Sequence, residues 1–280
     1  MSSPPPEKTA ASNSDSSNRN IDYDSDSTQV PSPNSRSHSS VINHFTQDVQ
    51  ACAFTELQLV LLTFCTGMQD ATTFPDYHCF ASNQTGNTVF LCLALILPQL
   101  DGDMFFSANI GIALGMFLGA GWLTGQLGHL VNPRKRWWLI LANLIQSACV
   151  MSAAAVQYRY GIKSHGPEAL AVIGLLAASA GSQVVQSRSL SIPEISTAMA
   201  TAAWVDLVID QNLFALKNRP RTRRVAFLLA LVAGSLVGAA IYRTVGSATA
   251  IVVSGAGKLL VACLYVFSPA EKSKRRSSLP

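Results

Sequence analysis

A cluster of polar residues interrupts an otherwise apolar stretch between residues 67 and 91. Gln69 and Asp70 end one apolar run, and Thr85, Gly86 and Asn87 begin the next. In hydrocarbon, a polar or ionisable group needs a partner or a water-filled cavity. A helix start also offers free backbone N–H groups, which a polar ligand or an anion can approach at Gly86. We therefore predict that these five residues line one polar cavity.

A second interpretation of the same residues is structural. They can hydrogen-bond to one another and join the two helices, at about 1 kcal/mol or less per contact. The depth of Asp70 in the membrane decides which interpretation applies to it. A carboxylate near the bilayer centre must face a cavity, carry a proton or pair with a donor. At a helix end in water it needs none of these, and the sequence leaves both alternatives open.

The composition is that of a multi-pass membrane protein. Of 280 residues, 49% are hydrophobic and 13% are charged. Apolar segments such as residues 227–241 lack the charged face of a soluble helix, and several can cross a hydrocarbon core of ~30 Å. We predict an all-α fold, a polytopic helical membrane bundle with about six to eight transmembrane helices. The apolar segments are A (Phe54 to Phe74), B (Thr85 to Leu100), C (Met104 to Val131), D (Trp137 to Tyr158), E (Ala169 to Ser187), F (Ile195 to Ile209), G (Val225 to Val245) and H (Ala248 to Phe267).

The chain divides into three regions. Residues 1–50 are rich in Ser and Pro and have too few apolar residues to offset the entropy of folding, which predicts a disordered cytoplasmic tail. Residues 51–268 form the predicted helical transmembrane domain, and residues 269–280 form a basic disordered tail. The start of the chain has neither the pattern of a signal peptide nor that of a transit peptide.

An internal repeat divides the transmembrane domain into halves of about residues 54–158 and 168–267. Gly67-x-Gln69 recurs as Gly181-x-Gln183, and Thr201 corresponds to the threonine that begins segment B. Four segments in each half predict parallel repeats. We expect Gln183 and Thr201 to be weaker, pseudo-symmetric partners of the polar cavity.

Two glycine pairs predict close helix packing. Gly115 and Gly119 in segment C, and Gly234 and Gly238 in segment G, have the G-x-x-x-G spacing. Glycines at this spacing let two helix backbones approach each other in lipid. We assign these four residues to helix packing rather than to ligand contact.

The basic residues predict the topology, with one conflict. If all eight segments cross, residues 217–224 and the basic carboxyl tail lie in the cytoplasm together with the amino terminus, as the positive-inside rule requires. The basic link at residues 132–136 then falls outside. A re-entrant segment B or F changes the count and relieves this conflict.

Lys258 is a lone cation inside segment H. It follows Gly-Ala-Gly, but Leu259 stands where a phosphate-binding loop needs Ser or Thr. We expect this lysine to extend to the interface or to pair with a membrane carboxylate.

Two short motifs carry a resemblance to a known family. They are G-x-x-D-A, at Gly67, Asp70 and Ala71, and T-G-N, at residues 85–87. With the segment NIGIALGMFLGA, they resemble the YoaK-like family, multi-pass membrane proteins catalogued as domain-of-unknown-function family 1275. The resemblance covers about residues 54–267 and implies the fold and the membrane location, but no substrate. The second copy departs from the family pattern G-x-Q-N-A, with Gly181, Gln183, Val184 and Val185 in this chain.

Catalytic and cofactor sites are not indicated. The sequence has no Cys/His spacing typical of a metal site and neither H-E-x-x-H nor G-x-S-x-G, so we expect no cofactor, no metal and no enzymatic activity. The expected partners are the lipid bilayer and a small solute but no nucleic acid, and homo-oligomerisation stays open. The leading hypothesis is a transporter-like permease for a small solute. The alternative is a non-catalytic membrane scaffold or interaction protein.

Overall fold

The computed structural model describes residues 43–215 and 217–271, and this part of the chain is all-α. Its only β pairings are isolated bridges. The predicted tails at residues 1–42 and 272–280 lie outside the described residues. The helices are α1 (Ala53–Tyr77), α2 (Gln84–Ile96), a 3-10 helix (Pro98–Leu100), α3 (Ser107–Val131), α4 (Arg136–Tyr160), α5 (Pro167–Ser189), α6 (Ala200–Val208), α7 (Arg219–Thr244) and α8 (Ser247–Val266).

Five of these helices are long and apolar enough to cross a membrane. They are α3, α4, α5, α7 and α8, with 20 to 26 residues each. About 20 residues of helix cross a hydrocarbon core of ~30 Å. The chain is therefore an integral membrane protein with lipid around its outer helices, and α3 and α7 bury the smallest share of their residues inside the protein.

Helix α1 has 25 residues but is not among these five helices. Its side chains Gln58, Thr66 and Gln69 are buried, as is more than half of the helix. It packs along α7 and along α8. Because protein surrounds these polar groups, the helix carries residues that a lipid-facing helix would exclude.

Helices α2 and α6 are too short to cross the hydrocarbon core. They have 13 and 9 residues, which rise about 20 Å and about 14 Å. Helix α2 ends at Ile96, just before Pro98, and residues 195–199 of segment F are not helical, with Thr197 at a φ of 59°. These lengths do not support an arrangement of eight crossings, and they are compatible with the alternative in which B or F does not cross the membrane.

Helices α1 and α7 cross on glycines. A Cβ atom added at Gly67 would lie 2.9 Å from the backbone nitrogen of Ser235, and one added at Gly234 would meet the carbonyl oxygen of Phe64. A Cβ atom at Gly238 would lie 2.7 Å from the Cα of Met68. The two backbones are therefore in direct contact, which only residues without side chains permit at these positions.

Helices α3 and α5 cross in the same way, but not through the predicted glycines. A Cβ atom at Gly181 would meet the carbonyl oxygen of Phe117, and Gly121 faces Gly181 across the crossing. Gly115 and Gly119 are exposed and have nothing within 4 Å of an added Cβ atom. The prediction that this pair packs against another helix is thus wrong within the chain. Gly121 follows Gly119 by two residues, about 200° around the helix, so α3 turns a different face toward α5.

The chain before α1 joins one end of the helix bundle. Residues 43–50, predicted to belong to the tail, pack here: Val49 N–H donates to the carbonyl of Arg134 at 2.9 Å, and Gln50 N–H donates to that of Pro269 at 2.9 Å. The buried guanidinium of Arg136 donates to the carbonyls of His44 and Ser268. The basic link at residues 132–136 therefore lies at the same end as both termini of the helical domain, contrary to the eight-crossing prediction.

The glycine contacts predict different outcomes for two alanine substitutions. Gly234→Ala should lower the free energy of unfolding by about 1–3 kcal/mol, because its Cβ atom meets the backbone of α1. Gly115→Ala should leave it unchanged or raise it by about 0.5–1 kcal/mol, because alanine favours a helix and nothing surrounds this position. Thermal melting of the detergent-solubilised protein measures both changes. An equal loss in both variants would contradict the assignment of the crossing.

Candidate functional site

A cavity of about 700 Å³ lies where α1, α3, α5 and α7 meet the starts of the two short helices. Four of the predicted site residues line it: Asp70, Thr85, Gly86 and Thr201. Thr85 and Thr201 are exposed at its wall. Thr85 and Thr201, which are 116 positions apart in sequence, thus share one cavity, because both short helices begin there.

Each short helix begins at the cavity for a local reason. The side chain of Asn83 accepts a hydrogen bond from Gly86 N–H at 3.3 Å and caps α2. Helix α6 follows Met199, whose N–H donates to the hydroxyl of Ser196 at 3.2 Å. The first residues of both helices line the cavity. Both helix dipoles therefore present their positive ends to it, an arrangement that attracts anionic or electron-rich groups.

Asp70 is at the cavity wall and also connects two elements. One carboxylate oxygen accepts from Ser82 N–H at 3.0 Å, and the other accepts from the Ser82 hydroxyl. The side chain is half-buried, seven residues before the end of α1 at Tyr77, which is about 10 Å along the helix. Asp70 thus meets both interpretations, since it joins α1 to the loop before α2 and keeps a face on the cavity.

Asn87 does not line the cavity. It is fully buried; its side-chain oxygen accepts from Phe80 N–H at 3.0 Å, and its side-chain nitrogen donates to the carbonyl of Phe80 at 2.7 Å. The same nitrogen donates to Gln84 at 3.0 Å. These contacts fold the loop back onto the first turn of α2, so Asn87 has a structural role.

Gln69 and Gln183 also lie away from the cavity. The side-chain nitrogen of Gln69 donates to the Ser254 hydroxyl of α8 at 2.7 Å, and that of Gln183 donates to the Thr66 hydroxyl of α1 at 2.9 Å. Both glutamines are buried. They join helices inside the bundle and are not available to a ligand in the cavity.

Arg188 is a cavity residue that the sequence analysis missed. It is the cation among the lining residues, exposed near the end of α5, with its guanidinium 3.0 Å from the sulfur of Met199. Its position one residue after apolar segment E was the available signal, but a basic residue at a helix end is also common at a membrane interface. The carboxylate of Asp70 is already hydrogen-bonded to Ser82. The guanidinium of Arg188 and the positive ends of the two short helices therefore favour a solute that carries oxygen acceptors or a negative charge.

The described walls of the cavity carry charged, hydrogen-bonding and apolar groups. Its walls hold one carboxylate, one guanidinium, hydroxyls, amides and apolar side chains, without a cysteine, histidine or lysine. Within the described residues no group of three or more His, Cys, Asp or Glu side chains is placed to hold a metal ion. The described walls can therefore hold a ligand through hydrogen bonds and charge.

The two roles of the loop residues can be separated by mutation. Asn87→Ala should lower the free energy of unfolding by about 1–3 kcal/mol, because the backbone groups of Phe80 lose their partners in a buried site. Thr85→Val, on the exposed cavity wall, should leave the melting temperature nearly unchanged. Detergent melting of the two variants checks the contrast, and a stable Asn87→Ala protein would show that its hydrogen bonds do not hold the loop.

Comparison with known proteins identifies the family. No curated protein and no solved structure matches the chain. The model of a family described as "Protein of unknown function (DUF1275)" matches residues 58–264, most of the described helical domain. The chain therefore belongs to the DUF1275 family of proteins of unknown function.

Proposed function

We propose that the protein is a permease for a small polar solute, built from two inverted halves. Each half has three long helices and one short helix: α1 to α4 in the first and α5 to α8 in the second. Three crossings in a half place the start of the next half on the opposite side of the membrane. The halves are then inverted, with a pseudo-twofold axis in the membrane plane, and not parallel as four crossings per half would require.

The two glycine crossings support this relation. Gly67 and Gly181 are 114 residues apart, and so are their contact residues Phe117 and Leu231. A Cβ atom at Gly67 would meet the carbonyl oxygen of Leu231, and one at Gly181 would meet that of Phe117. Adding 114 to the residue numbers of α1 and α3 thus gives the corresponding residues of α5 and α7. The α1–α7 crossing and the α5–α3 crossing are therefore equivalent in the two halves. With this offset Gly234 corresponds to Ala120, which explains why Gly115 and Gly119 are not its structural counterparts.

Six crossings also remove the conflict in the charge pattern. An even number of crossings between residues 43–50 and residues 268–271 puts both segments on one side, and residues 132–136 contact both. Residues 217–224 follow α5 and the short α6, which returns them to the same side. The basic residues of these links are then all cytoplasmic, as the positive-inside rule requires.

The proposed topology predicts the labelling of introduced cysteines. Cysteines at Lys135 and Thr222 should react with a membrane-impermeant maleimide from one side, and cysteines at Asp103 and Lys163 from the other. Helices α4 and α5 cross the membrane between residues 135 and 222, so these two residues lie on one side. A third crossing would require α6 to span the membrane, and its nine residues are too few for that. Labelling in sealed vesicles of known orientation measures this. Lys135 and Thr222 on opposite faces would refute the six-crossing arrangement.

The cavity between the halves carries the functional proposal. The single most important observation is that α2 and α6, the short helix of each half, begin at the same cavity. Transporters with inverted repeats bind their solutes between such discontinuous helices, whose positive ends face the solute. The volume of about 700 Å³ is in the range of small-molecule sites, about 300–1,000 Å³.

The cavity walls indicate a solute with an anionic or oxygen-rich group. Arg188 and the starts of α2 and α6 supply positive potential, while Thr85 and Thr201 supply hydroxyls. The proposed role is therefore binding of the solute and its transfer across the membrane.

The rival function, a membrane scaffold, has one observation in its favour. Asp70 is already held by Ser82, so its carboxylate can serve the structure alone. A scaffold needs these contacts but no solute. The two functions therefore predict different effects of a variant that removes the charge of Asp70 but keeps its hydrogen bonds to Ser82.

Asp70→Asn is the variant that separates them. Asparagine keeps an acceptor for Ser82 N–H and gains a donor for its hydroxyl, but it loses the negative charge at the cavity. We expect uptake of anionic and zwitterionic solutes into proteoliposomes to change by about tenfold or more, with nearly unchanged melting. The readout is uptake of a radiolabelled panel of small organic acids, amino acids and inorganic anions.

Asp101→Asn is the matched control. Asp101 accepts from Ser107 N–H at 2.9 Å and from its hydroxyl at 2.6 Å, the same pattern as at Asp70, but it is exposed and outside the cavity. Its variant should transport like the wild type. Loss of stability in Asp70→Asn with normal uptake per folded molecule, or no uptake of any panel member by the wild type, would favour the scaffold.

A further inference from the structure

Lys258 is a fully buried lysine near the middle of α8. Its side chain has 0% exposure. It lies about 17 Å along the helix from Ser247 and about 12 Å from Val266, at 1.5 Å per residue. Because α8 is long enough to cross the membrane only once, its amine is deep in the bundle. The expectation that this lysine extends to the interface is therefore wrong.

The surroundings of Lys258 provide no counter-ion. Its Nζ atom donates to the Ser179 hydroxyl of α5 at 2.7 Å. The ionisable groups that face it are the thiols of Cys65 on α1 and Cys149 on α4. Among the described residues no carboxylate forms an ion pair with it, so the expected membrane carboxylate is absent there. An ammonium has three N–H donors, and this packing supplies one oxygen acceptor.

The two protonation states of the amine therefore fit this packing unequally. A neutral amine can donate to Ser179 and leave little unsatisfied. An ammonium needs further acceptors and a compensating charge, because an unpaired charge in a dry interior is strongly unfavourable. Uptake of a proton by Lys258 thus favours a conformation that brings water or polar groups to the amine.

A polar face of α5 runs from Ser179, the hydrogen-bond partner of Lys258, toward the carboxyl end of this helix. After Ser179 come Ser182, Gln183 and Gln186, at the spacing of one helix face. Ser182 accepts hydrogen bonds from Gln146 at 3.2 Å, and Gln186 accepts from the same side chain at 2.8 Å. The α5 residues that line the cavity, Val184 and Arg188, lie on a different face of the helix.

Two buried acceptors along this face are unsatisfied. The side-chain oxygens of Gln146 and Gln183 are buried and have no hydrogen-bond partner within the described part of the chain. Unpaired buried acceptors are uncommon in folded proteins, and each can receive a hydrogen bond from water or from a proton carrier. They lie beside Ser182, which is one turn after Ser179 on α5.

We propose that Lys258 is the proton-binding group that couples proton movement to the conformational cycle of the permease; the proposal rests on the function inferred above. The neutral amine takes up one proton from one side of the membrane and forms an ammonium, then releases the proton to the other side. No other bond forms or breaks. Proton binding favours opening of the bundle around α5 and α8, and proton release restores the compact packing.

The test measures the conformation without any solute. A cysteine introduced at Thr201, on the exposed cavity wall, is labelled with a maleimide in the full-length protein in lipid nanodiscs. The protein without this cysteine gives the background rate. For the otherwise wild-type chain we expect the rate to change by about fivefold or more between about pH 5.5 and about pH 8.5, corrected for the reactivity of a model thiol.

Lys258→Met should remove this pH response, leaving a change of less than about twofold. Lys163→Met is the control, because Lys163 is exposed and pairs with Glu168 at 2.7 Å. It should keep the response. Ser179→Ala removes an acceptor that the ammonium needs more than the amine does, so its response should survive with a midpoint at lower pH.

If Lys258→Met is poorly folded, its melting temperature as a function of pH still distinguishes the proposal from a structural role. The proposal predicts that this variant melts at the same or a higher temperature than the wild type at acidic pH. A purely structural lysine predicts a lower melting temperature at every pH. A pH response that persists in Lys258→Met, or a wild type without one, would overturn the proposal.

Failure of the permease would have a different signature. If no panel solute is transported while labelling depends on pH only when Lys258 is present, the permease is rejected and the proton-binding role stands. If solutes are transported and labelling is independent of Lys258, the proton-binding role is rejected and the permease stands.

Discussion

Direct backbone contact between helices at two glycine crossings determines the arrangement of this bundle. Where α1 meets α7 and where α5 meets α3, a single Cβ atom would force the helices apart. These contacts hold α1 and α5 against partners that themselves face lipid, so that α1 and α5 are largely buried. Burial inside protein permits the glutamines and serines of both helices, because each can find a partner there. Polarity in the interior therefore follows from the crossings.

The helices were largely predictable from the sequence, and their ends were not. Segment A was predicted from Phe54 to Phe74, and α1 is Ala53–Tyr77. Segment F failed, because its first five residues, 195–199, are not helical although the segment was predicted to begin at Ile195. Apolar character shows that a segment avoids water, but a buried irregular segment avoids water equally well. The left-handed backbone at Thr197, which ends any helical path, has no signature in the residue type.

Residue types located the polar region of the site but not the direction of each side chain. Gln69 and Asp70 are adjacent, so their side chains point about 100° apart on α1. One reaches Ser254 on α8, and the other reaches Ser82 and the cavity. The sequence predicts that Asn87 lines the cavity, yet its side chain forms hydrogen bonds with the loop that precedes α2. Which polar residue stays available depends on neighbours that only the folded chain supplies.

In the proposed inverted arrangement, the two halves have corresponding helices but different residues at the cavity. With the offset of the glycine crossings, Asp70 corresponds to Val184, and Arg188 corresponds to Phe74. Asp70, Val184 and Arg188 all line the cavity. The carboxylate therefore comes from one half and the guanidinium from the other, so the duplicated frame holds opposite charges on its two sides. For the proposed permease, we expect such a cavity to distinguish the two ends of a solute and to bind a solute with unlike ends in one orientation.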